Sequence, residues 1–234
     1  MLTLHQSKPG YGLPSISPFS LKLELFLRAA NIDYRVSHAM RKTPKRKAPF
    51  IEYKGQYLGD STLIMNRLVK DFSVSMDDHL SDREKAQGYL ICRALEEGYY
   101  FCGLYANWQV TENWVRYRDV VLATIPRWIR VPGAGFFRRR FLKSLYMQGT
   151  GRHGYEDVQA FGLQYIQAIE LLLGQNDYLF GDKFTTYDCT VYGFIARGLR
   201  APNDSSMSQF ITSSSTLKNY CRRIDTCYAM AEPL

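Results

Sequence analysis

The sequence predicts an N-terminal α/β domain, ordered strand, helix, strand and then strand, strand, helix, joined to a second compact unit. Three observations carry that expectation. KAPFIEYKGQYLGDSTLI, Lys47 to Ile64, sets two short runs rich in β-branched and aromatic residues (Phe50, Ile51, Tyr53; Tyr57, Leu58) on either side of Lys54-Gly55, the pattern of a tight hairpin. SISPFSLKLELFLRAAN places Ser17 as an N-cap and Pro18 at the first helical position, with Phe19, Leu23, Phe26 and Ala30 recurring at helical spacing. SVSMDDHLS, residues 73–81, breaks the apolar periodicity with small and acidic residues, as a linker does.

Taken in order, Leu2 and Leu4 mark a strand, KPGYGLPS a flexible loop, and the Pro18 helix follows. Tyr34 and Val36 mark a second strand, and Pro49 precedes the hairpin. Asp60-Ser61 then opens an apolar-periodic helix through Leu63, Ile64 and Leu68, so either side chain can cap it while the free N–H groups and the helix dipole face an anion. This is the order of a thioredoxin-like domain, expected over residues 1–75, with the second domain over 81–234. A chain of 234 residues with 46% hydrophobic content can bury a core for each. SSM and ITSSST near the C-terminus predict a polar loop before the last helix.

The formal charge of +8 is uneven: residues 1–75 hold 12 Lys and Arg against 5 Asp and Glu. Five cations crowd into Arg41, Lys42, Lys45, Arg46 and Lys47, a run that reads equally as a solvated loop or as a site for an anion. A second basic, aromatic stretch, RWIRVPGAGFFRRRFLK, leaves room for peripheral membrane contact, although Pro132, Gly133 and Gly135 are expected to interrupt any continuous helix there. No DNA-reading motif is present, and nucleic acid is not an expected partner. Cys92, Cys102, Cys189, Cys221 and Cys227 form no CxxC pair, and His5, His38, His79 and His153 share no ligand spacing. Reduced thiols, no metal and a cytoplasmic protein are the expectation, since no export signal or long apolar run is found.

Four segments together resemble the glutathione transferase superfamily, most closely its failed-axon-connections and metaxin branch: SPFSLKLELFLRAANIDY, KAPFIEYKGQYLGDSTLI, YLFGDKFTTYDCTVYGFI and LKNYCRRI. The resemblance runs from about Leu2 to about Ile224, except roughly Asp78 to Gln159, which carries no matching signature. It implies an α/β thioredoxin-like N-terminal domain plus an all-α C-terminal domain, glutathione as co-substrate, a small hydrophobic electrophile, and homodimerisation.

It also implies roles for particular residues. Ser17 stands where related proteins keep a cysteine or a serine, and its hydroxyl would hold the glutathione sulfur as an anion. A free thiol titrates near 8.5, so lowering it by about two units takes roughly 2.7 kcal/mol, within reach of one hydroxyl hydrogen bond to a charged acceptor plus a helix N-terminus. With serine there, no mixed disulfide forms at that position, which favours addition or substitution over thiol–disulfide reduction. The plain alternative is that Ser17 only caps its helix, with Tyr11 and Ser15 in the preceding loop as rival hydroxyls.

By the same resemblance, the bond before Pro49 is cis, so that the backbone of Ala48 pairs with the cysteinyl unit like an added strand. Lys47 would meet the glycyl carboxylate, and Asp60 with Ser61 the γ-glutamyl end. Thr185 and Asp188 in FTTYD resemble a capping box, the threonine accepting from the backbone and the aspartate reaching back, a structural role. Tyr100, Leu104 and Trp108 lie on one face at helical spacing and form a candidate electrophile wall, although such stripes are usually core. The competing reading is a non-catalytic adaptor of the metaxin kind, using the same fold to meet a protein or a membrane surface.

Overall fold

Strands β1 (Leu2–His5), β2 (Tyr34–Ser37), β3 (Phe50–Tyr53) and β4 (Gln56–Gly59) form one mixed sheet in the order β2-β1-β3-β4. The computed structural model describes residues 1–40, 43–122, 127–200 and 203–231, with side chains for all of these except 127–132. Arg41 and Lys42 lie outside the described residues. β1 runs parallel to β2, Leu2 opposite Tyr34, and antiparallel to β3, Leu4 opposite Ile51. β3 and β4 are antiparallel, and Lys54 and Gly55 between them both take positive φ, 50° and 74°, as a two-residue turn matched to strand twist requires.

Helix α1 (Pro18–Ala29) starts at Ser17 and Pro18 as the sequence predicts. Burial extends beyond its apolar stripe: Leu21, Leu23, Leu25, Phe26 and Leu27 are all inaccessible, and Lys22 and Glu24 are buried with them. A helix buried on every side needs partners for its charges. Glu24 accepts from Gln6, Arg28 and Tyr34, at 2.5, 2.5 and 3.0 Å. Lys22 reaches out of the α/β layer, as described below.

α2 (Ser61–Phe72) follows the hairpin, and residues 73–81 lead to α3 (Asp82–Arg93), whose Ser81 and Glu84 form a reciprocal capping box. The remainder is helical: α4 (Tyr100–Leu104), α5 (Thr111–Val121), α6 (Arg127–Gln148), α7 (Tyr155–Leu173), α8 (Thr186–Arg200), α9 (Ser206–Ser213) and α10 (Ser215–Tyr228). The architecture is therefore a thioredoxin-like α/β layer followed by an all-α region. α8 crosses directly against α1: a Cβ on Gly193 would stand 2.5 Å from the Pro18 carbonyl oxygen.

Three expectations need correction. The polar loop expected from SSM and ITSSST is instead α9, capped by the Ser205 hydroxyl, followed at once by α10, capped by Ser214. Here the serines serve as caps at both helix starts rather than as loop formers. The helix break expected at Pro132, Gly133 and Gly135 does not occur, because α6 runs through all three. A mid-helix proline costs about 3 kcal/mol, and the C-terminal half of α6 offsets it by packing: Phe141 stacks on Trp108 at 3.8 Å, and Arg138 donates to the Trp108 and Gln109 carbonyls.

The capping box at Thr185 is also built differently from expectation. Asp188 does reach back to the Thr185 N–H at 2.9 Å, but the Thr185 hydroxyl donates into the same carboxylate at 2.6 Å instead of accepting from the backbone. The other carboxylate oxygen takes the Leu179 N–H at 2.8 Å and the Tyr220 hydroxyl at 3.0 Å. Asp188 is thus a fully buried hub tying the loop before α8 to α10.

Candidate functional site

Ser17 occupies the N-cap position of α1 with extended backbone, yet its side chain makes no cap hydrogen bond. Its backbone N–H donates to the Ser15 hydroxyl at 3.3 Å, and the side chain is half-buried. The first N–H groups of α1 thus gather beside a hydroxyl that the helix does not use. Ser15, one of the rival hydroxyls, is inaccessible and hydrogen-bonded to Ser7 at 2.6 Å, so it shapes the loop.

Tyr11, the other rival, adopts a positive φ of 58°, and its hydroxyl is buried without a partner among the described residues. Burial pushes the Tyr11 phenol up, against an opposing pull from Arg197, whose guanidinium lies 4.9 Å from the ring centre. Tyr11 therefore stays a neutral donor through neutral pH.

On the hairpin side, the Ala48–Pro49 bond is cis, Pro49 is buried, and Ala48 is exposed. Lys45, Arg46 and Lys47 are exposed on the turn that precedes it. Asp60 takes a φ of 81° and caps α2, one carboxylate oxygen accepting from the Thr62 and Leu63 N–H groups at 3.1 Å each. Ser61, at the first helical position, is buried with 6% of its surface exposed. The structure thus brings the Ala48 backbone, Asp60 and Ser61 to one edge of the sheet, at the front of α2.

Next to Ser61 lies a cluster that sequence reasoning missed. The Lys22 ammonium donates to the Thr62 hydroxyl at 2.9 Å and to the Glu96 carboxylate at 2.6 Å, and Arg93 also meets both Thr62 and Glu96. Burial, reinforced by the Arg93 charge, draws the Lys22 ammonium down to about 8. Two cations thus share one buried carboxylate between α1, α2 and the segment after α3. The sequence signal was faint: a lysine set into the apolar helix SPFSLKLELFLRA.

Beside Ser17 a cavity of about 80 Å³ opens, bounded by Ile16, Pro18, Tyr100, Leu104, Tyr117 and Arg197 among others. Tyr100 and Leu104 lie on this wall, but Trp108 does not. It is 2% exposed and stacked between Trp114 at 4.9 Å and Phe141 at 3.8 Å. The reason is local geometry: Tyr105–Gln109 winds as a π-helix, whose wider turn takes Trp108 off the face that ordinary helical spacing assigns it. Arg197 was also missed. Its signal was a cation three positions from Phe194 in an otherwise apolar stretch, TVYGFIARGL.

Among the described residues there is no cluster of His, Cys, Asp and Glu able to hold a metal, and no helix long and apolar enough to cross a membrane. Cys92, Cys102, Cys189 and Cys221 are buried free thiols, and Cys227 is an exposed one.

Residues 18–114 match the glutathione S-transferase N-terminal domain family, and residues 162–224 the glutathione S-transferase C-terminal domain family. An isoprene-epoxide glutathione S-transferase from a Rhodococcus strain is 28% identical over 237 residues, covering 97% of this chain and 99% of its own. The failed axon connections protein of Drosophila melanogaster is 27% identical over 197 residues, 79% of this chain and 47% of that longer protein. Among solved structures, a glutathione transferase from Populus trichocarpa superposes with a TM-score of 0.60 at 13% identity, covering 97% of this chain and 94% of that one. The beta-etherase LigF of Sphingobium superposes with a TM-score of 0.59 at 13% identity, over 95% and 99% of the two chains.

Proposed function

Since this chain belongs to the glutathione transferase superfamily, on its failed-axon-connections branch, we propose that it binds glutathione and transfers its thiolate to a small electrophile. The observation that carries this reading is the uncommitted Ser17 hydroxyl at the start of α1, flanked by Ile16 and Pro18, which both border the cavity. A sulfur at Ser17 receives a hydroxyl hydrogen bond and the field of the α1 N-terminus, and faces whatever occupies the cavity. The Ala48 backbone pairs with the cysteinyl unit. Ser61 takes the γ-glutamyl carboxylate, while the Asp60 oxygen not used in capping attracts the α-ammonium. Lys47 meets the glycyl end.

The thiolate then attacks an electrophilic carbon, forming the C–S bond, and the displaced electron pair leaves on the departing atom or on a ring oxygen that takes up a proton. The Rhodococcus relative is named for an epoxide, which makes a small epoxide a natural first electrophile. The test is conjugation of glutathione to a small epoxide, with glutathione binding measured alongside. Turnover that falls by about 10- to 100-fold in Ser17→Ala while binding persists supports the reading. A folded protein that is never retained on immobilised glutathione overturns it.

One observation favours a second reading, that of a docking module: Asp60 already spends one oxygen on its own helix, so the α2 start is complete without a ligand. In that case the protein binds acidic surfaces in a salt-dependent manner and ignores glutathione.

A further inference from the structure

We infer that Arg197 is an anion-binding group of the second-substrate cavity and that the electrophile it selects carries a carboxylate. The inference rests on the transferase reading above and deepens it. Arg197 is 8% exposed, so its charge is held almost wholly out of water. Its Nε donates to the Ile16 carbonyl at 3.0 Å, which fixes the guanidinium to the residue before Ser17. Among the described residues both terminal nitrogens are buried without a hydrogen-bond partner, a carboxylate included. The rings of Tyr11 and Tyr117 lie close to the guanidinium, their centres 4.9 and 5.2 Å from its carbon.

Aromatic faces offset part of the cost of burying a guanidinium but supply no acceptor for its N–H groups. A buried cation with two idle donors is expensive to keep unless something completes it. With Nε occupied, the two free nitrogens form the edge that a carboxylate grips through parallel hydrogen bonds. A neutral electrophile would leave that edge empty in the bound state. An oxyanion that appears only in the transition state would leave it empty until the moment of reaction. A carboxylate present in the ground state fills it on binding, and Tyr117 and Arg197 both border the cavity through which it enters.

The test uses two probes. Calorimetry with benzoate and with benzamide, in the absence of glutathione, reads the anion site alone. Conjugation of 4-chloro-3-nitrobenzoate against its methyl ester reads it in turnover. The expectation is that the wild-type protein binds benzoate and not benzamide and prefers the acid. Arg197→Met should then lose at least about tenfold in kcat/KM for the acid, and much less for the ester. Arg197→Lys, which keeps the charge but not the paired donors, should fall between the two. Equal affinity for benzoate and benzamide, or equal losses for acid and ester in a folded Arg197→Lys protein, overturns the inference. Because benzoate binding needs no glutathione, absent glutathione binding with intact benzoate binding would reject the transferase reading and leave Arg197's role standing.

Discussion

At the residue scale, the chemistry proposed above depends on which hydroxyl faces sulfur. Ser17 has the helix N-terminus and an uncommitted oxygen, whereas Tyr11 has a buried hydroxyl held against Arg197. Ser17→Ala should therefore lower kcat/KM for conjugation by about 10- to 100-fold, the equivalent of one hydrogen bond to a charged acceptor, with little change in glutathione affinity. Tyr11→Phe should change it by less than about threefold. Steady-state kinetics on the two variants checks both. Asp188 acts on folding instead. Asp188→Ala strands two N–H groups and the Thr185 hydroxyl, leaves the Tyr220 hydroxyl only the backbone carbonyl of residue 188, and should cost about 3 kcal/mol or more in denaturant unfolding, with residual activity per folded molecule unchanged.

Lys22 supplies a pH signature. Its ammonium is drawn down to about 8 from an ordinary 10.5, chiefly by burial. Between those two values the unfolded chain holds a proton that the native one has released, so stability should rise with pH across this window. Glu96 keeps Arg93 as its partner when Lys22 gives up its charge. Denaturation at about pH 7 and about pH 9.5 should show a gain on the order of 1–3 kcal/mol, and Lys22→Met should abolish it.

At the element scale, the strands, the hairpin and the starts of α1 and α2 were legible because each combines a periodic apolar pattern with turn or cap chemistry at a fixed place. Lys54-Gly55, Ser17-Pro18 and Asp60-Ser61 are such places. What sequence patterning missed follows from packing and from irregular helix. α6 survives Pro132 because Arg138 and Phe141 hold it down, and Trp108 leaves its expected face because a π-turn intervenes. Arg197 and the Lys22–Glu96 pair were hidden because contacts 181 and 74 residues apart in sequence define them. The contact between α1 and α8 makes its own prediction: Gly193→Ala drives a methyl into the Pro18 carbonyl, where backbone must move. It should destabilise the fold by about 1–3 kcal/mol and depress conjugation as well, since Pro18 adjoins Ser17.

At the scale of the whole molecule, the charge asymmetry gives the α/β layer a positive field, with Lys45, Arg46 and Lys47 exposed just before the cis Ala48–Pro49 bond. Replacing these three with glutamine should slow glutathione association severalfold at low salt and flatten its ionic-strength dependence, while the dissociation rate changes less. Stopped-flow fluorescence at two salt concentrations reads this directly. The helical region contributes the cavity wall and Arg197, and the α/β layer contributes Ser17, so the centre proposed above lies where α1 and α8 meet.

The most direct measurement is a titration of bound glutathione by ultraviolet difference absorbance of its thiolate, on the wild-type protein and on Ser17→Ala. The bound thiol should ionise about two units below the free value of 8.5 and move back toward it by about one unit or more once the Ser17 hydroxyl is removed, the α1 N-terminus retaining the remainder. An unshifted thiol in the wild-type complex, or an identical curve for the variant, would contradict this.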